Sequence, residues 1–246
     1  MGWINNMQNN IDVICECEKC ADKYCAKKVS IFSTLQDNHV REIVDMVVHR
    51  KYKKGQIIFF EGDISDKLYI VNKGKVKIFR YTKEGKEQIL YILTNGDFTG
   101  DLSLLKKSKL EFNAEALEDT AVCTLTKEDF DKILEKNPEI TFKILEVVHD
   151  RLVNLENLIQ RLSTKDVESR IIGVLLSLIK DFGKEDNEGI ILELPLSRQE
   201  IGNYSGLTRE TVSRTLTSMQ DSGLIELVGN KKIIIKDIEY LRDIDK

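Results

Sequence analysis

Five cysteines are the residues of this chain best suited to chemistry. Cys15, Cys17, Cys20 and Cys25 lie close together, whereas Cys123 lies far along the chain. Clustered thiolates with one remote thiol suit an iron–sulfur centre, and four thiolates also suit a structural zinc. The first twelve residues lack the basic start and apolar run of an export signal, so we expect a cytoplasmic protein with reduced thiols. The residues leave iron–sulfur, zinc and a disulfide switch open.

An enzyme is a weaker interpretation of the same residues. Cys17 and Cys20 form a C-x-x-C pair, but the βαβ pattern of thiol oxidoreductases does not surround them. His39, His49 and His149 are scattered, and we assign them no ligand role. The chain shows neither a phosphate loop nor a spacing that would pair a nucleophile with a base. We therefore expect a binding or regulatory protein, with thiol oxidoreductase as the alternative from another class.

Length and composition predict two globular domains. The chain has 246 residues, of which 41% are hydrophobic and 32% charged, and a single domain typically has ~100–150 residues. No stretch approaches the ~18 apolar residues of a membrane-spanning helix, so we expect no membrane partner. The net charge of -4 argues against binding nucleic acid by bulk electrostatics. Any DNA contact must come from a local surface.

Short β-rich runs alternate with glycine turns between Lys53 and Thr126. This spacing is typical of consecutive antiparallel strands in a sandwich or jelly roll. Residues 75–81 do not alternate perfectly between apolar and polar, so the register of that strand stays open. The predicted strands are Gln56–Phe60, Leu68–Asn72, Lys75–Tyr81, Gln88–Leu93 and Ala121–Leu125.

A long helix is predicted after Pro138. Its apolar residues recur at alternating steps of three and four, which is the a/d pattern of a helix paired with a partner across a two-fold axis. The alternative is a stripe that packs on the barrel of the same chain. The predicted dimer seam comprises Leu145, Val148, Leu152, Leu155, Ile159 and Leu162.

A helix-turn-helix is predicted near the C-terminus. Ser163 and Asp166 resemble an N-cap with an acidic third residue, opening the helix that precedes this unit, and residues 183–189 are predicted to form a polar, acidic loop after it. Ser197 can cap the first helix of the motif, Gly206 makes the turn and Thr208 can cap the second helix. The second helix presents polar residues suited to reading bases in the major groove, with two more polar residues at the start of the first helix. The predicted DNA-binding residues of the two helices are Ser197, Arg198, Thr208, Arg209, Glu210, Thr211, Ser213 and Arg214.

Two strands and a tight turn follow and predict a wing. The strands are residues 224–228 and 232–236, and Lys231 and Lys232 lie at the tip, where a phosphate backbone would pass. Between residues 196 and 236 there are six Lys or Arg and four Asp or Glu, a small positive balance. The competing interpretation of the second helix is a solvated face on which Glu210 and Arg214 form an i,i+4 pair.

This order of parts resembles the CRP/FNR superfamily of transcription regulators. The residues that carry the resemblance are Lys54-Gly55-Gln56, Gly62-Asp63, Leu68-Tyr69, Gly96-Asp97 and the run Ile201 to Thr208 with Glu210, Ser213 and Arg214. It implies an α+β fold: a cysteine-rich segment (1–29), a cyclic-nucleotide-binding-like β-roll or jelly roll (30–136), a dimerisation helix (137–162) and a winged helix-turn-helix domain (163–246).

The FNR-type group is the most similar part of that superfamily. The resemblance implies that Cys17, Cys20, Cys25 and Cys123 hold an oxygen-labile [4Fe-4S] cluster, with Cys15 as an alternative ligand. It also implies a homodimer on a palindromic operator with TTGAT-like half-sites, and RNA polymerase as a further partner. Zinc or thiol chemistry, haem or nitric oxide, and another small molecule remain alternative signals.

Two departures from the superfamily pattern bear on the signal. Where cyclic-nucleotide receptors carry an arginine for the phosphate, this chain reads Gly100-Asp101-Leu102-Ser103 and then Glu111-Phe112-Asn113-Ala114. The missing cation argues against cyclic AMP. No charge interrupts the seam, so we expect a dimer even without the cluster and a signal that reorients the DNA-binding domains.

Overall fold

The computed structural model describes residues 28–64, 66–100, 109–163, 166–187 and 189–244. The clustered cysteines Cys15, Cys17, Cys20 and Cys25 lie outside the described residues, as do residues 101–108. The described part has an α+β architecture, with a β-roll, a long helix and a C-terminal unit of helices around a small sheet. The predicted fold class is therefore confirmed.

Two four-stranded antiparallel sheets form the β-roll. One has the strand order β1-β8-β3-β6 and the other β2-β7-β4-β5. A 3-10 turn at Ser30–Phe32 and helix α1 (Asp37–Met46) precede them. The strands are β1 (Val48–Tyr52), β2 (Ile57–Phe59), β3 (Lys67–Lys73), β4 (Val76–Tyr81), β5 (Glu87–Leu93), β6 (Phe98–Thr99), β7 (Asn113–Ala116) and β8 (Thr120–Thr126).

All five strands predicted from the sequence are present, within two residues at either end. Strands β1, β6 and β7 were missed, because β1 is mostly polar and the other two are short. Both faces of β4 are buried, which explains its imperfect apolar pattern: Val76 and Ile78 lie on one face, and Lys77 and Phe79 lie on the other. The register shift opposite Ile78 and Phe79 comes from an extra residue, Leu90, in β5. Ile78 packs between the two sheets, and Phe79 packs with the C-terminal unit.

Two helices follow the β-roll: α2 (Lys127–Lys136) and the long α3 (Glu139–Ser163). One side of α3 packs through Ile140 and Ile144 onto a core formed with α1 and the β1-β8-β3-β6 sheet. The other side leaves large apolar side chains in solvent.

The C-terminal unit is built around a third antiparallel sheet with the order β11-β12-β10-β9. Its elements are α4 (Val167–Phe182), β9 (Gly183–Asp186), β10 (Gly189–Glu193), α5 (Arg198–Ser205), α6 (Arg209–Asp221), β11 (Ile225–Val228), β12 (Lys232–Ile235) and α7 (Ile238–Ile244).

Two local predictions for this unit were wrong. Asp166 caps α4 by accepting a hydrogen bond from the Ser169 backbone, whereas Ser163 is the last residue of α3. Residues 183–186 form a strand although the sequence predicted a polar loop there. Backbone pairing with β10 suffices for this edge strand, so its side chains stay polar and exposed.

Candidate DNA interface

Helix α5 begins with a capping box. The Ser197 hydroxyl accepts from the Glu200 backbone N–H at 3.3 Å, and the Ser197 backbone N–H donates to Glu200 Oε2 at 2.7 Å. These two bonds satisfy backbone donors that a helix start leaves without intrahelical partners. The predicted start of the motif is thereby confirmed.

The turn between α5 and α6 is unusually close to the α5 backbone. Gly206 has φ +70°, the left-handed conformation that glycine adopts without steric cost. The Leu207 backbone N–H donates to Gly202 O at 2.9 Å, and a Cβ on Gly202 would lie only 2.6 Å from Leu207 O. Thr208 then caps α6 by accepting from the Thr211 N–H at 3.2 Å. These contacts fix the angle between the two helices.

Helix α6 separates an apolar face from a polar face. Val212, Leu216 and Met219 are fully buried against the core of the unit, as the sequence predicted. The polar positions Arg209, Glu210, Ser213 and Arg214 are exposed and Thr211 is half-buried. In the part of the chain that the structure describes, no ion pair joins Glu210 to Arg214. Both side chains are therefore available for another partner.

A cleft lies where the two helix starts meet the wing. Ser197, Arg198, Gln199, Arg209, Asn230 and Lys231 line it. Three of these side chains are basic and none is acidic, which suits a phosphate. The Nη1 atom of Arg198 is buried without a hydrogen-bond partner among the described residues, and desolvation lowers the pKa of this guanidinium. An anion in the cleft would compensate for that desolvation.

The cleft brings together four of the predicted DNA-binding residues, namely Ser197, Arg198, Arg209 and Lys231. Arg198, Thr211 and Lys232 are half-buried, and the other predicted DNA-binding residues are exposed. Sequence reasoning missed Gln199 and Asn230, which line the cleft. Gln199 follows Arg198 directly in the sequence, and Asn230 lies in the turn between the two wing strands. Their polarity was visible, but their place on the cleft wall depends on the fold.

Cys123 lies in the β-roll, far from this interface in sequence. It is only 6% exposed and belongs to the core between the β1-β8-β3-β6 sheet and the helices. Its sulfur is 3.1 Å from Nδ1 of His49, the residue directly opposite on β1. Burial lowers the pKa of His49. The two residues are far apart in sequence, and only the strand register reveals this contact.

A small cavity of about 30 Å³ borders Cys123. Its wall includes Lys28, the first described residue, together with Phe32, Ile43 and Ile70. The volume suffices for about one water molecule. Across the described residues, no group of three or more His, Cys, Asp or Glu is arranged to hold a metal ion. The predicted ligands Cys17, Cys20 and Cys25, and the alternative Cys15, lie outside the described residues.

Protein side chains fill the interior of the β-roll beside β7, the strand that begins at Asn113. Asn113 is buried, its Oδ1 accepts from the Glu61 N–H at 3.1 Å and its Nδ2 donates to Phe79 O at 3.4 Å. The rings of Phe59 and Tyr69 pack with centroids 4.8 Å apart, and burial raises the pKa of Tyr69 to about 12. Asn113 is thus committed to the barrel itself.

A separate observation concerns membranes. Among the described residues, no helix has both the length and the apolar character needed to cross one.

Comparison with known proteins assigns both parts of the chain. Residues 49–137 match the family model of the cyclic nucleotide-binding domain, and residues 169–244 match that of the Crp-like helix-turn-helix domain. Electron transport regulator A of Shewanella oneidensis is 33% identical over 83% of this chain and 81% of its own length. The transcriptional activator protein anr of Pseudomonas aeruginosa is 33% identical over 77% of this chain and 78% of its own.

A solved structure supports the same assignment. FixK2 from Bradyrhizobium japonicum superimposes with a TM-score of 0.72 at 25% sequence identity, covering 81% of this chain and 98% of that one. The helix-turn-helix geometry, the two family matches and these relatives agree. The chain therefore belongs to the CRP/FNR family of DNA-binding transcription regulators.

Proposed function

We propose that this chain acts as a homodimer that reads a palindromic operator and responds to oxygen or redox state through an iron–sulfur cluster. The observation that carries operator reading is the exposed face of α6 with Glu210, Ser213 and Arg214. Arginine can bind guanine through two hydrogen bonds, and a glutamate accepts from the cytosine amino group. A carboxylate would be repelled by phosphates, so Glu210 suits base reading better than backbone contact.

Dimerisation through α3 is supported by apolar side chains that one chain leaves in solvent. Leu145, Leu152 and Ile159 are 58%, 54% and 65% exposed, and they recur every seven residues along one line. Phe142, at 70% exposure, extends the stripe, although sequence reasoning missed it. The other three seam residues, Val148, Leu155 and Leu162, are half-buried. Val148 and Leu162 also pack on their own chain, so the seam serves both the protomer and its partner.

The iron–sulfur proposal is supported by the position of Cys123. Cys123 and Lys28 border the same cavity, and Cys25 precedes Lys28 by three residues. Three residues span at most ~10 Å, enough to bring the cysteine-rich segment to the sulfur of Cys123. The cavity of about 30 Å³ is far too small to hold a cluster by itself. Cys123, Cys17, Cys20 and Cys25 would supply the four thiolate ligands. When bound, the cluster would supply an oxygen-labile redox centre.

The operator proposal is tested with fluorescent duplexes. A duplex carrying two TTGAT-like half-sites and a scrambled duplex of equal composition are titrated with the wild type and with Glu210→Ala/Ser213→Ala/Arg214→Ala. The triple variant should lose discrimination between the two duplexes. A matched triple variant on the exposed outer side of α3, Asn154→Ala/Glu156→Ala/Asn157→Ala, should keep it. Retained discrimination in the α6 variant would reject this interpretation.

The cofactor proposal is tested by purification without oxygen. The wild type should be brown, contain iron and acid-labile sulfide, and bleach in air. Cys123→Ala should lose the colour, and Cys15→Ala should retain it. Loss of the colour in Cys15→Ala would instead identify Cys15 as the ligand in place of Cys17. A colourless protein containing zinc, a Soret band from haem, or an organic ligand released on denaturation would each reject the cluster in favour of the corresponding signal. We also propose a contact with RNA polymerase, which is tested separately by transcription assays.

A further inference from the structure

A chain of hydrogen bonds connects the β-roll to the DNA interface. Lys77 Nζ donates to Glu87 Oε1 at 3.0 Å, and Asn203 Nδ2 donates to the same oxygen at 3.0 Å. Gln199 Nε2 then donates to Asn203 Oδ1 at 3.0 Å. Lys77 and Glu87 belong to β4 and β5, whereas Asn203 and Gln199 are one turn apart on α5. Gln199 lines the basic cleft.

The β-roll end of this chain is buried and charged. The side chain of Lys77 is 5% exposed and contacts Glu115 at 3.3 Å in addition to Glu87. A buried ammonium needs such partners, because an unpaired buried charge is strongly destabilising. Burial raises the pKa of Glu115, and the nearby carboxylates of Glu87 and Glu200 raise it further. The ion pair with Lys77 therefore holds the Glu87 carboxylate in place, where it accepts the hydrogen bond from Asn203.

Apolar contacts and a backbone bond accompany this polar link. Phe79 and Ile89 of the β-roll belong to the same hydrophobic core as Ile201 and Tyr204 of α5. Gln88 Nε2 donates to Tyr204 O at 3.4 Å. Apolar packing is tolerant of small rotations, whereas hydrogen bonds of fixed length are not. The Glu87–Asn203 bond is thus the orientation-specific part of the contact.

We propose that Glu87 and Asn203 are positioning residues for DNA binding: their bond sets the angle of α5, and with it α6, relative to the β-roll. Two recognition helices of a dimer must enter grooves one turn of duplex apart. Restricting the rotation of each DNA-binding unit lowers the entropy lost on binding. The inference rests on operator binding by a dimer and is independent of the iron–sulfur proposal.

A double-mutant cycle tests the proposal in the full-length protein. Operator affinity is measured by fluorescence anisotropy for Asn203→Ala, Glu87→Ala and the double variant, each checked for an unchanged circular dichroism spectrum. Each single variant should bind the operator about five- to twenty-fold more weakly, a typical coupling range. The double variant should be no weaker than the weaker single variant. Glu84→Ala, on the exposed β4–β5 turn, is the matched control and should bind like the wild type.

Two further variants separate positioning from a merely structural role. Glu87→Gln keeps an oxygen that can accept from Asn203, so its affinity should lie closer to the wild type than that of Glu87→Ala. Asn203→Asp is isosteric but places a second carboxylate against Glu87, so it should bind at least as weakly as Asn203→Ala. Hydrogen exchange should increase in β5 and α5 of Asn203→Ala and stay unchanged in β1 and β8.

The possible results discriminate between the two proposals. The positioning role would be overturned if Glu87→Ala and Asn203→Ala bound the operator within about two-fold of the wild type, or if their effects added up in the double variant. A wild-type protein that binds operator and scrambled duplexes equally would instead overturn operator reading. If the alanine variants fail to fold, Asn203→Asp decides: binding at least about five-fold weaker than the wild type would support the positioning role, and binding within about two-fold would overturn it.

Discussion

His49 and Cys123 face each other on neighbouring antiparallel strands, with 3.1 Å between Nδ1 and the sulfur. The two residues are 74 positions apart in sequence. Their contact places an imidazole against the one cysteine that the described residues contain. Because burial disfavours the charged imidazole, His49 adds no positive charge beside the thiol at neutral pH.

The first prediction concerns the pH dependence of stability. The folded-state pKa of His49 is lowered, so below its ordinary value near 6.5 the unfolded chain binds a proton that the folded chain does not. The corresponding stability is present above pH ~6.5 and is lost as pH falls through the window below it. In urea unfolding, the free energy of unfolding of His49→Gln should therefore fall less than that of the wild type when the pH is lowered from about 7.5 to about 5.5, values on either side of the ordinary histidine pKa.

Val48→Ala is the control for this measurement, because it changes a neighbouring residue of β1 without removing a titratable group. It should keep the wild-type pH slope. Parallel pH profiles for His49→Gln and the wild type would show that His49 does not contribute.

The second prediction concerns Lys231, which is exposed at the wing turn and lines the basic cleft. If it contacts a phosphate, Lys231→Ala should weaken binding to operator and scrambled duplexes by similar factors. The slope of log K against log salt should fall by about 1 per protomer. Lys83→Ala, exposed on the β4–β5 turn, should leave the slope unchanged. An effect restricted to the operator would indicate base reading instead.

The third prediction compares two glycines of the DNA-binding unit. A Cβ on Gly202 would lie 2.6 Å from the backbone oxygen of Leu207, whereas a Cβ on Gly223 meets nothing within 4 Å. Gly223 has φ +77°, so Gly223→Ala carries only the torsional cost of about 1 kcal/mol. Gly202→Ala should cost more, about 2 kcal/mol or above, because backbone must move. Thermal unfolding of both variants decides, and equal melting temperatures would contradict the argument.

The fourth prediction concerns the exposed stripe on α3. Leu152→Glu places a charge on the line formed by Leu145, Leu152 and Ile159, and two-fold symmetry brings both copies of the charge together. Sedimentation should then detect monomers, with a parallel loss of operator affinity. Asn154→Glu, exposed on α3 but outside the stripe, should remain dimeric. A dimeric Leu152→Glu variant would show that the two copies meet elsewhere.

The same sedimentation experiment on the cofactor-free wild type tests whether the dimer depends on the cluster. The uninterrupted apolar seam predicts a dimer in that state. A monomeric wild type that dimerises only after anaerobic cluster assembly would contradict this prediction and assign the switch to dimerisation.

Much of the fold could be predicted from the sequence because its signals are local. The caps Ser197 and Thr208 and the turn at Gly206 act on backbone groups within three or four residues of themselves. The same holds for the glycine turns that separate the β-roll strands, and for the apolar face of α6. Each pattern repeats over one element and needs no knowledge of what lies across the core.

The amino-acid sequence alone indicated five strands of the β-roll, the long helix, the helix-turn-helix and the polar face of α6, but not strands β1, β6, β7 and β9. The tertiary structure decided which distant residues meet: His49 with Cys123, Asn203 with Glu87, and Gln199 with the wing. It also decided that the second face of β4 is covered, so that Phe79 packs with the DNA-binding unit. The physical reason is that strand register and domain packing select one among several alignments with the same apolar pattern, and a shift of one residue reverses the face of every side chain.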